Sequence, residues 1–417
     1  MFPEPLTLTQ CRTRLGVACY TPRQIRTAYG LTGKRVGHLT GKDVTVVTGI
    51  GVIPKTIQHD LDVFSDRFGL PRTKLELAYE NGASPSSPQD ASNYREAILD
   101  VSAIHAMAPR ARIVVVAAPT IPNQHAGDLP PAYLDALERY DGDVLSMSWN
   151  NFEELLSQQD PALRQGSVAL ERLREPLVRA SEQGVTIMGS SGDWGGLAPS
   201  VGALWPTADP VVTSVGGTVL DLDADGHRLR PDTGWNASSG GLSSWFARPA
   251  YQDPVSRLVG TRRGEPDISM MARSFWVHDS AGPQPPGWQL VGGTSLSAPL
   301  MAGIVALAVE AAGHRLGNIN ETLYRLGERP GGGIVDVTTG QSSRDAHVGA
   351  HAAPTVPEPP GWHGYTAHAG YDLVTGLGTV DGERLIPSLA AAGRGKEDRH
   401  EMQEDAVPDD AATSAGK

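Results

Sequence analysis

The sequence has little cysteine, few aromatic residues and no continuous apolar segment near its N-terminus. The 417 residues include 2 cysteines and 6% aromatic residues. No CxxC spacing occurs, which argues against a redox-active or thiolate metal site. Cys11 and Cys19 can form a small disulfide loop in an oxidising compartment or remain free thiols, and two cysteines do not decide between these states. No apolar run reaches the length of a membrane span, and the first 20 residues lack the core of a signal peptide, so the chain is either intracellular as written or a processed form.

Acidic residues outnumber basic residues in this chain. The formal net charge is −12 at pH 7. An acidic surface repels nucleic-acid phosphates and anionic lipid headgroups. We therefore expect neither a nucleic acid nor a membrane as a partner. The chain also has 48 glycines and 32 prolines without a repeating pattern, which excludes collagen-like and low-complexity structure.

Short β-branched apolar runs alternate with amphipathic stretches along most of the chain. The predicted buried strands are 44–48, 111–117, 144–149 and 185–189, and the predicted helices are 56–68, 94–106, 131–139 and 163–182. Strands separated by helices of this length favour an α/β fold, with a mostly parallel central sheet and helices on both faces.

The two ends of the chain differ from the middle. Residues 1–20 are interpreted as an irregular N-terminal lead, and residues 21–391 as one domain that begins with a helix capped by Thr21. Residues 341–363 are rich in Pro, Gly and His, and we interpret them as a surface insertion within the domain. Residues 392–417 are polar, charged and without periodicity, which predicts a disordered tail.

A candidate nucleophile lies in the glycine-rich octapeptide GGTSLSAP at 292–299. Ser295 stands where a long apolar helix begins, so its hydroxyl is exposed and the helix N-terminus favours negative charge nearby. Taken alone, Ser295 is more simply interpreted as the N-cap of that helix. The octapeptide, however, resembles the nucleophile motif of the subtilase superfamily, which has a parallel sheet with the serine at the start of a central buried helix.

The histidine base of subtilisins is not found in this sequence. In subtilisins the triad aspartate ends the first core strand, and the histidine follows in an HGT-type motif. Here the strand ends Val47-Thr48-Gly49, without a carboxylate, and no HGT sequence occurs. A subtilisin-type triad is therefore not predicted, and another base must serve Ser295.

Three acidic residues are the candidates for that base and its helpers. Glu96 and Asp100 are four residues apart on a predicted helix and share a face, where a proton shared by the two carboxyls raises an apparent pKa of the pair. Glu96 can then accept the Ser295 proton while Asp100 orients it. Asp193 lies in a glycine-rich turn after a strand and, if protonated, can donate to an oxyanion. The alternatives are a solvated acidic face for the pair and an Asx-turn for Asp193.

These segments together resemble the sedolisin (serine-carboxyl peptidase) family over about residues 20–390. The family's E-x-x-x-D helix matches Glu96 and Asp100, its S-G-D segment matches 191–193, and its G-T-S motif matches 293–295. Further matching segments follow in order: YTP at 20–22, AMAP at 106–109, SMSW at 146–149, VGGT at 215–218 and PDIS at 266–269.

The resemblance implies a subtilisin-like fold and a monomeric extracellular enzyme that hydrolyses polypeptides at acidic pH. Ser295 would be the nucleophile, Glu96 the general base and then acid, and Asp100 its orienting partner. Asp193 and the Ser295 backbone N–H would stabilise the oxyanion. Action as an endopeptidase or as a tripeptidyl-peptidase remains open. The alternatives are a catalytically silent relative that binds other proteins, a structural calcium-binding protein, and a neutral-pH subtilisin.

The resemblance also implies one structural Ca²⁺ ion near the C-terminus. Two aspartates near glycine-rich backbone suit a hard cation that prefers oxygen ligands, although two turn aspartates are the simpler reading of the residues alone. Carried over from the family, Asp336 and Asp372 would give carboxylates, and Val337, His368 and Gly370 would give backbone carbonyls. His368 stands where the family commonly has glycine, and a carbonyl ligand survives this change if the backbone angles allow it.

Overall fold

The computed structural model describes residues 1–83, 91–118, 125–281, 285–343 and 361–392. The helices are α1 Leu8–Leu15, α2 Pro22–Ala28, α3 Ile57–Phe68, α4 Ala91–Met107, α5 His125–Tyr140, α6 Glu153–Gln159, α7 Val168–Glu182, α8 Ser256–Val259, α9 Thr294–Ala312 and α10 Asn320–Gly327, with a 3₁₀ helix at Ala250–Val255. The strands are β1 Thr45–Thr48, β2 Glu76–Tyr79, β3 Arg112–Ala117, β4 Val144–Met147, β5 Asn151–Phe152, β6 Thr186–Ser190, β7 Leu204–Trp205, β8 Val212–Val219, β9 Thr233–Gly234, β10 Gly241–Ala247, β11 Arg262–Glu265, β12 Ile268–Met271, β13 Phe275–Asp279, β14 Gly287–Val291, β15 Ile334–Val335, β16 Gln341–Ser342, β17 Tyr365–Thr366 and β18 Thr379–Val380.

A central parallel sheet organises these elements. Its strand order is β12-β8-β6-β4-β1-β3-β2, every neighbouring pair in this order is parallel, and β9 adds an antiparallel pairing with β8. In the middle of the sheet, Val46 of β1 lies opposite Ile113 of β3 and Val144 of β4. Since the strands are parallel, their carboxyl ends share one edge of the sheet. The predicted α/β fold with a mostly parallel sheet is confirmed.

Helices cover both faces of the sheet. One hydrophobic core joins α3, α4 and α9 to the sheet, and a second core joins α5 and α7 to its other face. Helix α9 contacts β4, β6, β8 and β12 as well as α4, so it is apolar all round. Among the described residues it is the one helix with the length and hydropathy of a membrane span, and 78% of it is buried inside the protein. The expectation that no apolar run reaches that length was therefore wrong, because a helix buried on all sides has the composition of a span.

The N-terminal lead is more ordered than the sequence indicated. It contains α1, where the Thr7 hydroxyl accepts from the Gln10 N–H and the Gln10 side chain accepts from the Thr7 N–H. Cys11 and Cys19 form a disulfide and are both buried. The prediction of an irregular lead was wrong, because Thr7 and Gln10 form a capping box that begins a short helix. The predicted start of α2 is confirmed, since the Thr21 side chain caps it.

One predicted helix is shorter in the structure, and two predicted segments lie largely outside the described residues. The long predicted helix at 163–182 begins only at Val168, where the Ser167 hydroxyl accepts from the Leu170 N–H and caps α7. Of the predicted insertion, residues 344–360 lie outside the described residues, and its flanks pair as β16 with β17. The predicted disordered tail also lies outside the described residues, except for residue 392.

Candidate active site

The nucleophile candidate lies in the first turn of α9 rather than at its cap. Gly293 occupies the N-cap position with φ 127°, and the first backbone N–H of the helix, that of Thr294, donates to the side chain of Asp193. Ser295 therefore does not act as the N-cap, and its side chain remains partly exposed. A Cβ atom at Gly293 would lie 2.5 Å from Oδ2 of Asp193, so both the backbone angle and the close approach of that carboxyl require glycine.

Asp100 is held from two strands of the sheet. It lies on α4 without exposed surface. Its Oδ2 accepts from the Thr48 hydroxyl at 3.0 Å, and its Oδ1 accepts from the Ser148 hydroxyl at 2.7 Å. Thr48 ends β1 and Ser148 follows β4 directly, so both donors come from the carboxyl edge of the sheet. Burial raises the pKa of Asp100, while the hydrogen bonds from Ser148 and Thr48 oppose this rise.

Glu96 lies one turn before Asp100 on α4 and faces Ser295. Burial raises the pKa of Glu96 well above its ordinary value, and the nearby charges of Asp100 and Asp193 raise it further. An interaction with the Ser295 hydroxyl lowers this pKa, because it favours the ionised carboxylate. Glu96 Oε1 is buried and has no hydrogen-bond partner in the described part of the chain. An acceptor held in this way suits a group that receives a proton from a neighbouring hydroxyl.

Asp193 is bound to the residue that precedes the serine. Its Oδ1 accepts from both the backbone N–H and the hydroxyl of Thr294, each at 2.8 Å. The Gly192 N–H in turn donates to the Thr294 hydroxyl at 2.9 Å. Burial raises the pKa of Asp193, and the two Thr294 donors oppose this effect. Because Oδ1 already accepts two hydrogen bonds, a proton on this carboxyl is best carried by Oδ2, which lies against Gly293.

The four predicted residues thus meet at one place, where the carboxyl ends of β1, β4 and β6 face the N-terminus of α9. Asp100 has no exposed surface, so the alternative of a solvated acidic face does not describe it. Asp193 accepts from Thr294, across the site, which an Asx-turn within its own loop does not explain. Both alternatives failed because the long-range contacts that decide them do not leave a local sequence signal.

Sequence reasoning missed the hydroxyl residues that hold the carboxyls. These are Thr48, Ser148 and Thr294. A usable signal existed for Thr48, which ends the first core strand at the position where subtilisins carry the triad aspartate. This strand end lacks a carboxylate. The hydroxyl that stands there binds the carboxyl of Asp100 instead.

The calcium candidates lie on two neighbouring loops. Asp336 Oδ2 accepts from the Gly370 N–H at 2.8 Å, and Asp372 Oδ2 accepts from the His368 N–H at 3.0 Å. Asp372 is almost fully buried, and burial raises its pKa, whereas Asp336 is exposed. Both carboxyls thus contact the backbone of the loop 368–372, whose carbonyls supply further oxygen atoms, and Asp372 Oδ1 also accepts from the N–H groups of Val374 and Thr375. The donor types fit a hard cation, and a cation would offset the cost of burying Asp372.

A second acidic group lies elsewhere, on an exposed turn. Asp223, Asp225 and His227 hold ligand atoms close enough together for one metal ion. Asp223 Oδ1, however, already accepts from the N–H groups of Asp225 and His227 at 2.9 Å each. The group is explained as an Asx-type turn that closes the chain between Leu222 and Arg228.

The family model described as Subtilase family matches residues 83–323. Tripeptidyl-peptidase 1 of Homo sapiens is 27% identical over 93% of this chain and 67% of its own length. Kumamolisin of Bacillus sp. (strain MN-32) is 27% identical over 89% of this chain and 63% of its own length. The chain thus spans about two thirds of the length of these relatives.

A solved structure supports the same assignment at the level of the fold. Pseudomonas sedolisin, a serine-carboxyl proteinase in complex with two molecules of pseudo-iodotyrostatin, superimposes with a TM-score of 0.71 at 24% identity. The match covers 90% of this chain and 98% of that structure. With the match of the family model over more than half of the sequence, the chain belongs to the subtilase family, and its similarity to tripeptidyl-peptidase 1 and kumamolisin supports an assignment to the sedolisin family within it.

Proposed function

We propose that this protein is a serine-carboxyl peptidase that acts at acidic pH through an acyl-enzyme on Ser295. The observation that carries the proposal is the set of carboxyls around that serine: Asp193 accepts from Thr294 beside it, and Ser148, which donates to Asp100, also donates to the Ser295 carbonyl at 3.4 Å. A calcium-binding protein whose Ser295 only caps a helix has no need of this arrangement. A catalytically silent relative is not favoured either, because all four groups are present.

In acylation, Ser295 Oγ attacks the carbonyl carbon of the peptide bond, and Glu96 accepts the hydroxyl proton. Asp100 shares the resulting proton and orients Glu96. Glu96 then donates a proton to the departing amine, so that the C-terminal fragment leaves and an ester on Ser295 remains. Water attacks this ester with Glu96 again as the base, and cleavage of the ester releases the N-terminal fragment.

The developing oxyanion is stabilised by Asp193 and the Ser295 backbone N–H. A neutral carboxyl donates a hydrogen bond to the oxyanion, whereas an ionised one repels it. Because burial raises the pKa of Asp193, this carboxyl retains its proton to a higher pH than an exposed aspartate does. Activity is therefore expected to fall as the pH rises through the pKa of Asp193, and to fall again at lower pH, once Glu96 and Asp100 are both protonated.

The test is hydrolysis of internally quenched peptides from pH 2.5 to pH 8. Wild type is compared with Ser295→Ala and Glu96→Gln, both checked for folding by circular dichroism. We expect an acidic optimum and a loss of about 10³-fold or more in kcat for each variant. A neutral optimum, or activity that survives either substitution, would contradict the mechanism.

The same assay separates the two modes of cleavage. The relatives include proteins named tripeptidyl-peptidase. The first property to measure is therefore whether cleavage requires a free N-terminus. Matched peptides with a free or an acetylated N-terminus are digested, and the products are identified by mass spectrometry. Release of tripeptides from free N-termini only indicates a tripeptidyl-peptidase, and equal cleavage of both peptides indicates an endopeptidase.

We propose a working location outside the reducing cytosol. The disulfide between the buried Cys11 and Cys19 supports this, because such bonds persist in oxidising compartments. Acidic extracellular or lysosomal fluid also matches the pH range proposed for the reaction. Polypeptides are the proposed substrates, and a monomer remains the expected state.

We further propose that the loops of Asp336 and Asp372 hold one structural Ca²⁺ ion, with carbonyl ligands from Val337, His368 and Gly370. The test measures the thermal midpoint with and without CaCl₂, for wild type and Asp372→Asn. Asp223→Asn is the matched control, since it alters the other acidic group. Calcium at about 100 times its Kd would stabilise wild type by about 2.7 kcal/mol. No calcium-dependent shift, or a shift lost in Asp223→Asn instead, would refute this site.

A further inference from the structure

A pocket of about 460 Å³ lies beside the turn that carries the nucleophile, and it has no role in the steps above. Gly292 and Gly293 form part of its wall, with Trp235, Leu290 and Val291. None of its lining residues is acidic, and Arg273 is the one charged residue among them. A pocket with apolar walls and a single cation is suited to a ligand group that carries one negative charge.

Arg273 is available for such a ligand. It is exposed, and it forms no ion pair within the described part of the chain. Asn236, which is also exposed, adds an amide to the same pocket. A guanidinium presents a fork of N–H donors that matches a carboxylate.

The position of Arg273 is fixed relative to the nucleophile. It lies in the turn between β12 and β13, and the next residue, Ser274, has φ 75°. The Ser274 carbonyl accepts from the Tyr20 N–H at 3.2 Å, and the Ala272 carbonyl accepts from the Gly293 N–H at 2.7 Å. A conformation that L side chains rarely adopt is retained only where its surroundings determine it. The turn of Arg273 and the turn of Ser295 are therefore one rigid unit.

We propose that this pocket is a substrate subsite that binds a carboxylate through Arg273, so that the enzyme prefers peptides with an acidic group close to the bond that is cleaved. The inference rests on the proposed peptidase function and adds a substrate class to it. The carboxylate can come from an Asp or Glu side chain or from the C-terminus of a short peptide. Gly293 forms a wall of the pocket and also lies against Asp193, so a residue bound there lies close to the reacting carbonyl.

The test compares kcat/KM at pH 5, where exposed carboxyl groups are mostly ionised. One peptide series carries Glu or Gln at each position near the cleaved bond, and a second ends in a free acid or an amide. A charged hydrogen bond of this kind corresponds to a preference of about tenfold or more for the acidic member of a pair. The series that shows this preference identifies the source of the carboxylate.

Three variants decide the role of Arg273. In Arg273→Gln the acidic-to-neutral ratio should fall to about one, and in Arg273→Glu it should fall below one. Arg257→Gln, which removes an exposed arginine outside the pocket, should keep the wild-type ratio. A wild-type ratio near one, or a ratio unchanged in Arg273→Gln, would overturn the subsite.

Binding to inactive protein keeps the subsite testable apart from catalysis. Labelled peptides of each pair are titrated into Ser295→Ala and into the double variant with Arg273→Gln, and fluorescence anisotropy gives Kd. The subsite predicts tighter binding of the acidic peptide to Ser295→Ala only. Cleavage of no peptide by wild type would reject the proposed function, while equal Kd values within each pair would reject the subsite.

Discussion

Asp100 and Asp267 are both fully buried aspartates at the sheet, but they have opposite kinds of partner. Asp267 receives both terminal nitrogens of the buried Arg263, at 2.8 and 2.5 Å. It also accepts from the Tyr324 hydroxyl at 2.9 Å and from the Ser214 N–H at 2.8 Å. The N–H donors among them cannot reverse, and the guanidinium charge is permanent. Asp267 is therefore paired with a permanent cation, and its role is structural.

Asp100 has no cation beside it. Its two partners are the hydroxyls of Thr48 and Ser148, and each hydroxyl can rotate to donate or to accept. Burial raises the pKa of Asp100 and that of Glu96, although the charge of Arg95 partly opposes the rise at Glu96. The comparison teaches that the partner, and not the depth of burial, decides whether a buried carboxyl serves the fold or exchanges a proton.

The sharpest way to break this comparison is to neutralise each aspartate in turn. Asp267→Asn leaves the guanidinium of Arg263 buried without its counter-charge, and we expect a loss of about 3–5 kcal/mol in the free energy of unfolding. Asp100→Asn removes a carboxyl whose ionisation burial already opposes, so it should cost less than about 1 kcal/mol. Urea unfolding at pH 5 measures both. Equal losses in the two variants would show that burial alone sets the cost.

Substitutions of Asp193 test, through their effect on activity, whether this buried carboxyl exchanges a proton. Asp193→Ala removes the proposed oxyanion donor, and we expect kcat to fall by about 10²–10³-fold, which is about 2.7–4 kcal/mol. Asp193→Asn retains an acceptor for the Thr294 N–H and places an N–H donor near the oxyanion without titrating. It should therefore keep more activity than Asp193→Ala and lose the decline towards neutral pH. Identical kinetics and pH profiles for the two variants would argue against a proton on Asp193.

The sequence alone predicted the elements and residues that a local pattern or a short motif identifies. The strand and helix alternation predicted the sheet, because the β-branched run at 44–48 and its equivalents are buried on both faces. The four-residue spacing of Glu96 and Asp100 predicted their shared helix face. The order of the short motifs along the chain then predicted that Ser295 and Asp193 belong to the same active site. Each of these inferences depends on neighbours in the chain or on a short motif.

What the sequence could not supply was the set of partners from distant segments. Thr48 and Ser148 are 52 and 48 residues from Asp100, and no local pattern relates them to it. The position of Arg273 near the nucleophile likewise becomes evident only from the hydrogen bond that joins its turn to the nucleophile turn through the Gly293 N–H. The buried charge pair of Arg263 and Asp267 was also unforeseen. Partner identity depends on strand order, which periodicity does not specify.

The smallest expected effect concerns Thr48, as a positioning residue for Asp100. Its hydroxyl lowers the pKa of Asp100, so Thr48→Val should raise that pKa and make the pair of Glu96 and Asp100 take up its second proton at higher pH. A hydrogen bond worth about 0.5–1.5 kcal/mol corresponds to a shift of up to about one pH unit. The acid limb of the kcat/KM profile should move upward by that amount, while the limb assigned to Asp193 stays in place. Thr48→Ser retains the hydroxyl and should restore the wild-type profile. A packing defect alone would lower kcat at every pH and leave both limbs unmoved, which would remove Thr48 from the mechanism.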